Sequence, residues 1–219
     1  KMCSCCGLHT AGDKDLADFL TEEINMEKKS VKSSDLPKIR GFEISKIEGS
    51  EITLTNKTDT ETVLITFNVN DSVEDYGGEY DESQQQQQQP EDDGPEMVSR
   101  PPFTVEINKG GDSSLAMHCI IPVQEPEEQQ PQEGEEAYED LLQISEIAIL
   151  KGGKWEDSTY LMSGSLMDGN LYDMLLNMLE ERGITGQFVN DLVAFSTTFE
   201  HKKYIGLLEE LKDFVNCAN

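Results

Sequence analysis

Between residues 42 and 162 apolar side chains recur at alternate positions in short runs, and turn-forming residues separate the runs. Period two puts each run on one face of an extended strand, so this stretch can bury its apolar groups only as a sheet covered on one side. Phe42, Ile44 and Ile47 open the series and Glu48-Gly49-Ser50 turns. Ile52 and Leu54, then Val63, Ile65, Phe67 and Val69, alternate with polar neighbours around a turn at residues 56–60. Phe103, Val105 and Ile107 repeat the pattern, Lys109-Gly110-Gly111-Asp112 reverses the chain, and Leu115, Met117, Cys119 and Ile121 return. Leu142, Ile144, Ile147 and Ile149 form another run, Lys151-Gly152-Gly153 a loop, and Tyr160 with Met162 a last short strand. The series predicts about seven antiparallel strands with one apolar and one wet face.

Both ends of the chain change to helical period. Leu16, Phe19, Leu20, Ile24 and Val31 follow three-to-four spacing, with Glu27 the one polar interruption, and predict a helix over 13–33. Asp13 and Asp15 suit its positive end, and Lys28, Lys29 and Lys32 its negative end. Leu36-Pro37 stops it. Ser165-x-x-Asp168 has the form of a capping box ahead of Leu171, Met174, Leu175, Met178 and Leu179, and Gly183 supplies a stop. Thr185 then caps a second helix bearing Phe188, Leu192, Phe195, Phe199, Leu208, Leu211 and Val215. At about thirty residues it is roughly 45 Å long and outreaches a small core. Part of its stripe is expected to meet the N-terminal helix and another subunit. The fold class is therefore α+β.

Two segments interrupt the sheet. Residues 71–99 hold ten acids, no Lys or Arg and six consecutive glutamines at 84–89; residues 124–140 hold eight acids, again with no Lys or Arg. Such composition cannot bury enough apolar surface to order a chain, so both read as disordered loops inserted into hairpins. They make a single domain over 8–217 more consistent than two domains, with residues 1–7 a frayed end or processing remnant. No apolar run approaches a membrane-spanning length. No N-terminal apolar stretch resembles a secretory core either; the first residue is Lys1, so this decides nothing about compartment.

The 44 acidic and 17 basic residues give a net charge of −27. That charge argues against direct binding to nucleic acid phosphates or anionic lipid, and favours fast, salt-sensitive encounter with basic partners. The plainer role of the same charge is solubility. The expected contributors are Glu74, Asp75, Glu79, Asp81, Glu82, Glu91, Asp92 and Asp93 in the first loop, and Glu127, Glu128, Glu135 and Glu136 in the second.

Signals for catalysis or cofactors are weak. Gly7-x-x-x-x-Gly12-Asp13-Lys14 misses the phosphate-binding loop, because an Asp intervenes and no Ser or Thr follows Lys14. Cys3, Cys5, Cys6 and His9 are more simply a frayed terminus than a soft-metal site, and five cysteines without framework spacing suit a reduced compartment. His118 and Cys119 are adjacent on a strand and point to opposite faces, so they cannot form a nucleophile pair. His201 reads as a solvated helix position. Asp92-Asp93-Gly94 lacks calcium-loop spacing. Asn56-Lys57-Thr58 and Asn70-Asp71-Ser72 match the glycosylation pattern, which matters only for a secreted chain. No cofactor is expected.

Specific strings accompany this order of elements. Leu8-His9-Thr10, Gly12-Asp13-Lys14 and Asp18-Phe19-Leu20 open the first helix, and Phe67-Asn68-Val69-Asn70 ends a strand before an acidic loop. Trp155 and Tyr160 precede the helix containing Leu171-Tyr172-Asp173. Arg182-Gly183-Ile184 leads to Phe195-Ser196-Thr197, Glu200-His201, Tyr204-Ile205 and Leu208-Glu209-Glu210-Leu211-Lys212. From residue 8 to about 215 the chain resembles the mitochondrial acidic matrix protein family, also called the mitochondrial glycoprotein family. The glutamine run and the Cys-rich start depart from it.

The resemblance implies a ring-shaped homotrimer with a wide channel, a strongly twisted sheet, and first and last helices paired as an antiparallel coiled coil. Leu16, Phe19, Leu20, Ile24, Leu192, Phe195, Phe199, Leu208, Leu211 and Val215 would then form the coiled-coil and trimer contacts. It implies a non-enzymatic protein, mainly of the mitochondrial matrix, that supports translation and respiration. It also implies members at the nucleus, cytoplasm or cell surface that bind complement globular heads, kininogen, hyaluronan, splicing factors and microbial proteins. Three readings compete: an acidic, chaperone-like multiligand scaffold that captures basic segments; an innate-immune surface receptor working by shape; and an enzyme with an unrecognised site. Removing residues 71–99 would separate the first two.

Overall fold

The computed structural model describes residues 10–30, 35–71, 98–122 and 141–216. They fall into two compact units, one spanning residues 37–197 and the other residues 1–36 with 198–219.

The larger unit is built on seven strands: β1 Glu43–Glu48, β2 Glu51–Lys57, β3 Thr62–Asn68, β4 Phe103–Asn108, β5 Ser113–Ile120, β6 Gln143–Lys151 and β7 Met162–Ser163. Each pairs antiparallel with the next, so sheet order equals chain order. Cross-strand register lines up the apolar positions. Ile52, Phe67, Phe103, Cys119 and Ile144 form one row, and Leu54, Ile65, Val105, Met117 and Ile147 the next. All of these but the half-exposed Ile147 are buried.

Two helices cover that face. They are α2, Gly169–Glu180, and the first part of α3, Gly186–Val215. Phe188 meets Phe42 and Phe103 edge-on at 5.2 and 5.8 Å, and Phe195 meets Phe67 at 6.1 Å. Edge-to-face contact adds to plain burial because ring edges and faces carry opposite partial charge. Leu175, Leu176 and Leu179 supply the α2 stripe.

Local chemistry sets the helix ends. Asp168 itself, not Ser165, caps α2, accepting a hydrogen bond from the Asn170 amide at 3.0 Å. Ser165 lies in a short 3-10 turn, Gly164–Leu166, that separates it from the helix. Gly183 terminates α2 at φ +84°, where a side chain would be strained, and the Ile184 amide reaches back to Leu179 O at 3.1 Å. Thr185 Oγ1 then accepts from the Phe188 amide at 3.4 Å as α3 begins.

Several strand expectations shift by a residue or two. Val69 leaves the sheet for a 3-10 turn, β5 stops at Ile120 rather than Ile121, Asn56 and Lys57 belong to β2, and Tyr160 precedes β7. The second face is not uniformly wet. Ala116, Ala148 and Leu150 form a buried cluster there, and Ser114 is buried with its hydroxyl donating to Glu106 Oε1 at 2.5 Å. Conversely Ile149, on the apolar face opposite Leu115, is 59% exposed. Apolar cover on that face thins towards the last strands and at β1, where Ile44 and Ile47 are exposed.

The smaller unit holds α1, Ala11–Ser30, and the remainder of α3. Helix α1 starts two residues before the expected position because Thr10 and Asp13 cap it reciprocally. The Asp13 amide donates to Thr10 Oγ1 at 3.1 Å, and the Thr10 amide donates to Asp13 Oδ2 at 2.8 Å. Residues 31–34, the expected end, lie outside the described residues. Leu20, Ile24 and Leu208 form its buried cluster.

Candidate functional site

The acids singled out from composition, Glu74, Asp75, Glu79, Asp81, Glu82, Glu91, Asp92, Asp93, Glu127, Glu128, Glu135 and Glu136, lie outside the described residues. Their attachment points do not. The first acidic segment joins β3 to β4 and the second joins β5 to β6. Phe67 lies opposite Phe103 at the close of the first pair, and Ile120 opposite Gln143 at the close of the second. Phe103 also lies opposite Cys119, one residue from Ile120, so both attachments share one end of the sheet. They are two strand spacings apart, roughly 10 Å.

Short turns occupy the opposite end, where Lys57, Lys109, Lys151 and Lys154 gather with Asp59 and Asp112. The β1–β2 hairpin, with Glu48 opposite Glu51, turns at the acidic end. Lys46 pairs there with Glu48, which raises the lysine and lowers the carboxyl relative to their ordinary values, first through their hydrogen bond. Both are fully solvated, so the pair contributes little to stability.

In the smaller unit two polar contacts flank the Leu20–Ile24–Leu208 cluster. Lys28 Nζ is 2.5 Å from Glu209 Oε1, and His201 Nε2 is 2.6 Å from Glu27 Oε2. Of the helix residues implicated by resemblance, Leu20, Ile24, Phe199, Leu208 and Val215 are buried, while Leu16, Phe19 and Leu211 are exposed. Leu192 and Phe195 are buried in the larger unit instead, Phe195 against Phe67. Phe214 and Leu207 are apolar, exposed and were not singled out from sequence as contacts.

The positions tested for catalysis do not converge. Cys119 is fully buried on the apolar face and its thiol is pushed up to about 12 by burial, which suppresses the thiolate a nucleophile needs. His118 faces the other way, with Nδ1 3.3 Å from Thr104 Oγ1. Gly12-Asp13-Lys14 lies in the first turn of α1. Among the described residues no group of three or more His, Cys, Asp or Glu side chains is placed to hold a metal ion, and no helix is long and apolar enough to cross a membrane. A cavity of about 530 Å³ lies beside β6 and β7, lined by Ile120, Ser145, Ser163, Met167 and Tyr172. Tyr172 Oη accepts from the Ile144 amide there at 3.0 Å, and no carboxylate, imidazole or amine is part of the described lining.

Sequence reading missed two paired contacts. One is Glu27–His201. The other is Arg182–Glu61, 2.9 Å apart and largely buried, with the guanidinium also donating to Met178 O at 2.8 Å. Their partners lie 174 and 121 residues apart, beyond any local pattern.

A helix-flanked antiparallel meander with acidic hairpin insertions at one sheet end defines an α+β class of acidic protein. The sequence profile of the mitochondrial glycoprotein family matches residues 20–215. The complement component 1 Q subcomponent-binding protein, mitochondrial, of Bos taurus is 39% identical over 217 residues, covering 97% of this chain and 76% of its own length. The conserved regulator of innate immunity protein 3 of Caenorhabditis elegans is 34% identical over 208 residues, covering 92% of this chain and 83% of its own. A solved Leishmania major structure, described as a sequence homologue of human p32, shares the fold at TM-score 0.62 and 16% identity, with 94% of this chain and 99% of that one covered. The chain belongs to the mitochondrial glycoprotein family.

Proposed function

We propose that the protein is a non-enzymatic acidic scaffold of the mitochondrial matrix with a chaperone-like role, and that it captures basic protein segments electrostatically. The reading rests on one observation above all: two hairpin insertions rich in acids and free of Lys and Arg are attached at the same sheet end. Concentrated charge of one sign raises the local density of basic segments and speeds their encounter. The matrix location is supported by the mitochondrial names of the relatives.

A homotrimer completes the proposal. The exposed apolar residues Phe19, Leu207, Leu211 and Phe214 on α1 and α3 are large for solvent-facing positions and suit contact between copies, with the terminal helices paired as a coiled coil. Three copies would carry about −81 and offer threefold valency to a basic ligand.

A second reading is recognition of complement or microbial proteins at a cell surface. The bovine relative's name, as a binder of the first complement component, favours it. One comparison separates the two: binding of an arginine-rich peptide by the full chain and by a variant in which Glu74, Asp75, Glu79, Asp81, Glu82, Glu91, Asp92 and Asp93 are amidated to Gln or Asn. A loss of about tenfold or more in affinity supports ionic capture, since several carboxylate–guanidinium contacts are removed at once. Unchanged affinity contradicts it.

A further inference from the structure

We infer, resting on the capture of basic segments proposed above, that the outer edge of β1 takes up a strand from a partner protein: an extended segment in which apolar residues alternate with Lys or Arg. The two edges of the sheet are finished differently. On the β6 side the outer backbone is covered. The Ile144 amide donates to Tyr172 Oη at 3.0 Å, and Gly164 lies so close to the Ile144 carbonyl that a Cβ would collide with it. Strand β7 pairs with Glu146 and Ile147, and Lys154 bridges to Lys151. With two residues, β7 itself offers little edge to extend. On the other side β1 runs for six residues, all exposed, and among the described residues it pairs with β2 alone. Alternate residues of an edge strand point their N–H and C=O away from the sheet, so this edge is able to receive another strand through main-chain hydrogen bonds. The bulge at Ser45 and the Lys46–Glu48 pair temper the edge without closing it.

The side chains select what the added strand carries. Ile44 and Ile47 lie on the apolar face at 45% and 47% exposure. Apolar groups half open to water at a sheet edge gain from a neighbour on the same face. Glu43, Lys46 and Glu48 lie on the second face, and Glu51 stands opposite Glu48. Lys46 is engaged by Glu48, so Glu43 and Glu51 leave that face net acidic. A strand laid beside β1 therefore meets apolar side chains on one face and carboxylates on the other, the pattern that an alternating apolar and basic segment matches. The Glu48 end of β1 is also the sheet end to which the first acidic segment attaches, through Asn68 opposite Glu51. A second copy of this chain fits less well. Two β1 edges paired antiparallel in the centred register would set Glu43 of each beside Glu48 of the other, and like charges directly opposite are destabilising.

The test uses two peptides of about eight residues and one composition, Val and Arg, alternating in the first and segregated into two blocks in the second. Affinity for the full chain and amide hydrogen exchange of β1 are both measured. The alternating peptide is expected to bind about tenfold more tightly than the blocked one and to slow exchange of the outward β1 amides, which the blocked peptide leaves unchanged. Ile44→Thr with Ile47→Thr is expected to cut that preference about threefold and to spare binding of the blocked peptide. Equal affinities, or unchanged β1 exchange with the alternating peptide bound, overturn strand addition; binding of the blocked peptide then leaves ionic capture standing. If neither peptide binds, strand addition and ionic capture fail together. Protection of β1 in the chain alone shows the edge already taken, by a second copy or by another part of the chain, and overturns the inference. Protection that falls on β6 instead of β1 overturns it as well. If the double substitution unfolds β1, exchange in the unmodified chain decides.

Discussion

Arg182 and Glu61 are 13% and 17% exposed, and each is the other's counter-ion. Removing one partner leaves a charge buried without compensation, which costs more than the pair contributes when intact. Arg182→Ala is expected to destabilise the protein by about 3 kcal/mol in urea unfolding. Combining Arg182→Met with Glu61→Leu is expected to recover most of that loss, because neither charge then needs solvation. Cys119 gives a second residue-scale test. Its thiol is raised from 9.0 to about 12, so the unfolded chain releases the proton first as pH rises. Stability from this group is complete below about pH 9 and is lost between there and about pH 12. Mass-mapped alkylation at pH 8 is expected to spare Cys119 in the native protein and to modify it rapidly in denaturant.

At the scale of elements, two glycines set boundaries for different reasons. Gly183 is required by its positive φ, and Gly183→Ala is expected to cost about 1 kcal/mol through the α2 stop. Gly164 is required by contact: a Cβ there would collide with the Ile144 carbonyl oxygen. Gly164→Ala is expected to push β7 from β6, at about 1–3 kcal/mol, with heightened exchange of the β6 amides as the readout. The strands themselves were legible from period two, and two irregularities were written in the same pattern. Ile44 to Ile47 and Ile144 to Ile147 are spaced by three, and the register slips once within each run, leaving Ser45 and Ser145 as the extra residues. A bulge adds one residue and so keeps both isoleucines on the apolar face. Caps were less legible. Thr10, with Asp13 as its reciprocal partner, caps α1, and Asp168 rather than Ser165 caps α2, because several nearby residues have the same capping chemistry and only backbone geometry chooses among them. The buried cluster of Ala116, Ala148 and Leu150 on the second face was hidden, since alternation alone assigns that face to solvent.

For the whole molecule, the acidic segments were visible in sequence as composition, but their shared sheet end emerged only with the strand register. Pairs such as Glu27–His201 leave no local trace, because neither residue differs from an ordinary solvated helix position. Assembly is the largest step beyond one chain. Sedimentation equilibrium at micromolar concentration is expected to give a mass near three times the 24.5 kDa of the chain. Phe214→Asp, at a position 80% exposed in the single chain, is expected to lower that mass by placing a charge in a contact between copies. A wild-type mass of one chain contradicts the trimer.

Capture of basic segments by massed carboxylates has one direct readout, the affinity of the full chain for an arginine-rich peptide as salt is raised from 0.05 to 1 M. Opposite charges near a surface are screened within about 3 Å at 1 M, so affinity is expected to fall steadily with the logarithm of salt and to be lost at the upper limit. Binding of undiminished strength at 1 M salt would contradict electrostatic capture.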